Sequence, residues 1–146
     1  MGRGGQPYEI TKGNFNRWLW VYLDPNPIAF VLTETSFQLS EHDSPMPDVA
    51  VVLAGRLQPS HTGLIRLSPD IAIEVVSSEP AAVLQAKIRL YLEHGTKAVW
   101  VAYPELRILH IYDAKGVREL AGKELLEAPE ILPGFSVPVA AFFEGL

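Results

Sequence analysis

The chain contains no cysteine, which removes disulfide frameworks and thiolate zinc sites together. It has no apolar run approaching the roughly eighteen residues that a membrane-spanning helix requires. The opening MGRGGQPYEI lacks the apolar centre of a secretory signal, so a soluble cytoplasmic protein is expected. An excess of positive charge is also missing. Twelve Lys and Arg stand against 17 Asp and Glu, for a net charge of −5, which disfavours indiscriminate nucleic-acid binding because phosphate contacts need clustered cations. A local basic rim around an acidic site remains compatible with that balance. Several catalytic signatures are absent too. Without HExxH, and with His42, His61, His94 and His110 scattered, zinc hydrolysis has no support. Without GxGxxG, a P-loop or GxSxG, neither a nucleotide cofactor nor a serine nucleophile is expected.

What is present is a globular composition. Hydrophobic residues make up 48% of 146 residues, enough for one domain with a proper core. Helical spacing of Phe15, Leu19, Tyr22 and Leu23 predicts a helix over 14–23, ended by DPNP. A strand follows from Ile28, buried at first and then alternating to Leu39. MPDVAVVLA and DIAIEVVS read as further strands, separated by a polar surface excursion over 55–69. A helix is expected over 79–94, capped by Ser77 or Ser78 and closed by Gly95. KAVWVAY and RILHIYD, joined by a short turn, read as a hairpin. AKG then turns into VREL, and the Pro-bracketed tail ends in a short apolar helix, AAFF, whose exposed half would suit a homodimer. The strand–helix–strand crossover requires one parallel pair and the short hairpin links require antiparallel ones. The fold class is therefore α/β to α+β: a mixed sheet flanked by helices.

The chemistry lies in carboxylates set within apolar strands. Asp48 opens one such strand, and Asp70 and Glu74 belong to the next. A carboxylate in such a run is costly unless it is paired or binds a metal. Lys87 follows in the helix, thirteen residues after Glu74. Two strand-borne acids and a lysine are what a divalent cation and an attacking water need for phosphodiester hydrolysis. Each residue also has a plainer reading. Asp48 suits a turn after Pro47, Glu74 the solvated face of an edge strand, and Asp70 a turn at the strand's start. Lys87 suits an ordinary helix surface, although Val83, Leu84, Leu90 and Tyr91 around it are largely apolar. Glu34, between two threonines, suits an exposed strand position.

The series TETSFQL, SPMPDVAVV, SPDIAIEVVS, AKIRLYLEHGTKAVWVAYPE and LPGFSVPVAAFF, in this order and spacing, resembles the PD-(D/E)xK, or restriction-endonuclease-like, superfamily. Within it the chain resembles the small bacterial endonucleases called Uma-two. The resemblance implies a restriction-endonuclease-like core and a Mg²⁺ (or Mn²⁺) dependent cut in DNA. It implies Asp48 and Glu74 as metal ligands, and Lys87 as the catalytic lysine moved to the helix, since Val76 stands at the usual place. Glu34 matches a further acid before the PD strand. Tyr91 shares the Lys87 helix face, and KxxxY resembles the QxxxY of related nucleases. Typical members begin with a longer segment that includes a hairpin, whereas this chain starts near the first helix. A nuclease-fold protein without activity, serving as a dimerising or nucleic-acid-binding module, is the alternative.

Overall fold

The computed structural model describes residues 5–58 and 63–146. His61 and the 59–62 part of the expected surface excursion lie outside them. The described elements run α1 (Gly5–Leu23), β1 (Ala29–Thr33), β2 (Val49–Leu53), β3 (Ile71–Val75), α2 (Ala81–Glu93), β4 (Ala98–Tyr103), β5 (Ile108–Asp113), β6 (Gly116–Ala121), β7 (Leu125–Ala128) and β8 (Leu132–Pro138), with a terminal 3-10 helix over Val139–Phe143. Strands β1 to β6 form one sheet in sequence order. All neighbours are antiparallel except β3 and β4, which α2 connects. The expected mixed sheet and its crossover are therefore present.

Alternation along the strands sorts two cores. Val49, Val51, Ile71, Ile73, Val75 and Trp100 face α1, the 3-10 helix and the β7–β8 hairpin. Ala72, Val99 and Val101 face Leu84, Ile88 and Tyr91 of α2. Ala50 and Val52 of β2 close around Phe37 in a smaller third cluster. The central strands are buried on both faces, which is why they read as continuous apolar runs.

Four expectations are corrected. The first helix starts at Gly5 and not near Asn14. Its buried stripe of Tyr8, Thr11, Phe15, Leu19 and Leu23 keeps helical spacing through the polar opening and across Gly13, because tertiary burial outweighs one poor helix former. Strand β1 ends at Thr33, and Glu34 has a positive φ of 48°, so the chain breaks out of the strand there. Phe37 then forms a bridge with Ile65, which brings Ile65 and Leu67 of the excursion onto the third cluster. At α2, Pro80 occupies the N-cap with no side-chain cap, and neither serine takes that role. Instead the Glu79 carboxylate accepts the Ser77 amide at 3.1 Å.

The C-terminal third holds more strand than expected. VREL lies in β6, an edge strand exposed along most of its length, and β7–β8 make a second, two-stranded sheet. Phe142 and Phe143 of the tail are buried, with Phe142 stacked on Phe15 at 4.2 Å between ring centroids. That apolar surface is spent inside the chain and leaves no phenylalanine face for a second copy. Shortening Phe142 to alanine should lower stability by about 3 kcal/mol in urea unfolding, with α1 loosened from the sheet.

Candidate active site

The carboxylates gather at one end of the sheet because of register. Strand β1 pairs Thr33 with Val49, and β2 pairs Val49 with Ile73. One step beyond these registers stand Glu34 just after β1, Asp48 just before β2 and Glu74 within β3. The Glu34 amide donates to the Asp48 carbonyl at 3.2 Å, which fixes the first of these neighbours. Asp48 and Glu74 are almost fully buried.

Each acid has protein donors. Asp48 Oδ2 accepts the Val75 amide at 2.8 Å, in the gap where β2 has not yet begun to pair. Its Oδ1 accepts the hydroxyl of Tyr8 from α1. From the other side of the sheet, α2 supplies Lys87 and Tyr91, which stand four residues apart and share a helix face. Tyr91 donates to Glu74 Oε2 at 2.9 Å, and Lys87 Nζ lies 3.3 Å from Oε1. Lys87 is half-buried, as its apolar helical neighbours require.

Burial dominates the electrostatics of Glu74. Desolvation pushes its carboxyl up to about 7, against the attraction of Lys87, and the Asp48 charge pushes the same way as burial. The hydrogen bonds from Tyr91 and Lys87 pull it back only in part. The Tyr91 phenol is raised above its ordinary value of 10.0 by burial and by the Glu74 charge, so it remains a donor throughout the physiological range. An acid whose folded pKa lies above its unfolded one binds more protons when folded, so its contribution is full below about 4.5 and fades as pH rises towards about 7. Glu74→Gln should therefore flatten the fall in stability across that window, as read by denaturant titrations at several pH values.

Asp70 stands apart from these groups. It immediately precedes β3, at the end of the strand away from Glu74 and about 13 Å from it at roughly 3.3 Å per residue. Its buried carboxylate pairs with Arg56 at 2.9 Å and Lys97 at 3.3 Å, and accepts the Leu53 amide at 2.8 Å. This network ties the β2 end and the start of β4 to β3. Asp70→Ala should cost about 2–3 kcal/mol, because it strands the Leu53 amide while both cations can turn to solvent. Any site chemistry should survive in the folded fraction.

Two site neighbours escaped the sequence reading. Tyr8 and Lys12 lie in the part of α1 that was expected to precede the helix, and Lys12 Nζ pairs with Glu34 Oε2. Their signal was present in the four-residue Tyr–Lys spacing, which mirrors Lys87 and Tyr91 once the helix is known to cover them. Glu34, Asp48, Glu74, Lys87 and Tyr91 are thus brought to one end of the sheet, and Asp70 is not.

Among the described residues no helix is long and apolar enough to cross a membrane. Comparison with curated proteins gives no match. Among solved structures, a putative nuclease belonging to DUF820 from Anabaena variabilis superposes with a TM-score of 0.85 at 18% identity, over 94% of this chain and 80% of that one. This shows the same fold. The type IIG restriction endonuclease BpuSI gives a TM-score of 0.47 at 12% identity, over 93% of this chain and 15% of its own length. Residues 1–140 match the profile of a family described as Uma2, putative restriction endonuclease. With residues 1–140 matched and the fold shared with that structure, the chain belongs to the Uma2 family, described as putative restriction endonucleases.

Proposed function

We propose that this chain is one catalytic domain that hydrolyses DNA phosphodiester bonds with a divalent cation, through Asp48, Glu74 and Lys87. The observation that carries the reading is Glu74. It is a desolvated carboxylate with raised proton affinity, set beside a second buried acid and a lysine. A divalent cation bound there would offset the desolvation of Glu74 and the repulsion between the two acids. Two hard oxygen donors on adjacent strands suit Mg²⁺ or Mn²⁺. Among the described residues no group of three or more acids and histidines forms a fuller cage.

Asp48 and Glu74 would hold the ion, which supplies charge neutralisation and a more acidic water. The chain's own groups do the rest. Tyr91 fixes one Glu74 oxygen and so aims the other. Lys87 carries its ammonium to the same carboxylate, where it orients a water and offsets charge growing on the phosphate. Asp48 is anchored by the Val75 amide, so its carboxylate keeps its place without substrate.

The test is cleavage of single- and double-stranded DNA with Mg²⁺ or Mn²⁺, beside metal binding by titration calorimetry. Metal affinity should strengthen as pH rises past about 7, with proton release on binding, because Glu74 must ionise to coordinate. A second reading draws on the donors that already satisfy both acids: Tyr8, the Val75 amide, Lys87 and Tyr91. A network closed in this way also suits a non-catalytic member acting as a dimerising or nucleic-acid-binding module. That reading prevails if the wild-type protein binds no metal and cuts nothing while remaining a stable dimer.

A further inference from the structure

We infer that Lys12 is a substrate-positioning residue that holds a phosphate of the DNA strand across the site from Lys87. The inference rests on the nuclease reading above. Helices α1 and α2 cover opposite faces of the sheet, and each delivers a tyrosine and a lysine, four residues apart, to the same end. Tyr8 donates to Asp48 as Tyr91 donates to Glu74. Lys12 pairs with Glu34 as Lys87 pairs with Glu74. A polynucleotide crossing the sheet's end would thus meet one ammonium from each side of the acid row.

Lys12 is prepared for such a contact. Its side chain is only 12% exposed, while Glu34, which holds it, is 50% exposed. The stem is therefore ordered, and the ammonium ends at the surface. Its nitrogen also lies 5.9 Å from the centre of the Tyr8 ring, so the same tyrosine that holds Asp48 also steadies the lysine. Among the described residues Glu34 is its one hydrogen-bond partner, out of three donor positions on an ammonium. Glu34 itself adopts a left-handed φ of 48°, a conformation unfavourable for glutamate that concentrates at working sites. That turn brings its carboxylate back to α1.

An ordinary structural ion pair would share the geometry but not the salt response. Each phosphate contact adds about 0.7–0.9 to the slope of log affinity against log salt. DNA binding is therefore measured with Ca²⁺ in place of Mg²⁺, with substrate integrity checked on gels, across a salt series for wild type, Lys12→Met, Lys12→Arg, Glu34→Gln and the remote Lys115→Met. Cleavage kinetics with Mg²⁺ run in parallel. Lys12→Met should reduce the slope by about 0.7–0.9 and raise KM about tenfold, with a smaller change in kcat. Lys12→Arg should restore both, and Lys115→Met should leave both unchanged. Glu34→Gln retains the ammonium and should keep the wild-type slope. A folded Lys12→Met with wild-type slope and KM overturns the inference while leaving the nuclease reading intact. So does a Glu34→Gln slope reduced as far as that of Lys12→Met, since the ion pair alone would then matter. If Lys12→Met does not fold, Lys12→Gln takes its place under the same criteria. Wild-type protein that neither cuts DNA nor binds it with a salt-dependent affinity overturns both.

Discussion

Replacing Glu74 with alanine should reduce DNA cleavage by at least about two orders of magnitude, the usual cost of removing a contact made to charge in the transition state. Asp48→Ala and Lys87→Ala should fall into the same range, and double variants should lose little more, because groups that act as a unit are not additive. The variants differ in their structural side effects. Glu74→Ala removes a desolvated acid and strands the Tyr91 hydroxyl, whereas Asp48→Ala strands the Val75 amide and should also soften the start of β2. Glu74→Gln and Asp48→Asn keep the shape and most hydrogen bonds, so they separate chemistry from folding. The check is single-turnover cleavage beside circular dichroism of each variant. Activity unchanged in all three alanine variants would identify a contaminating nuclease and defeat the assignment.

Trp100→Ala should be the most damaging single truncation in the core, at about 3–5 kcal/mol in urea unfolding and about 10 °C in Tm for a chain of this length. Trp100 is fully buried in β4, at the centre of the sheet. Its ring packs on Phe135 of β8 at 5.9 Å and on Phe15 of α1 at 6.5 Å between centroids. The indole therefore joins three pieces of the molecule: the sheet, the first helix and the terminal hairpin. None of them can close the gap without moving the others, so relaxation recovers little of the loss. Trp100→Phe should cost distinctly less, since much of the ring contact survives. Equal loss in both would place the energy in the indole nitrogen and not in packing.

Elements whose signal is local can be read from the chain alone. Strands β2, β3 and β4 are continuous apolar runs because both their faces are buried, and no solvent-exposed strand needs such a run. The α2 pattern fixed Lys87 and Tyr91 on one helical face, since that depends only on the helical period. Carboxylates inside these runs also marked themselves, because an unpaired buried charge is too costly to be incidental. Where burial was partial the signal faded. β6 is exposed along most of its length and carries little apolar pattern, and the start of α1 is held by packing that its own polar residues do not announce.

The grouping of the acids is a property of the folded chain. In the sequence Asp70 and Glu74 share one face of the alternating run, with Asp70 at its entry where a turn role is as natural. In the fold they serve opposite ends, one closed by Arg56 and Lys97 and the other open to α1 and α2. The Glu34 backbone amide meets the Asp48 carbonyl at a left-handed turn just past its strand, and Tyr8 reaches the Asp48 carboxylate from 40 residues away in the chain. Such neighbourhoods follow from strand register and from which helix covers which face. Both are set by the summed burial of the whole core, and no local stretch of sequence encodes them.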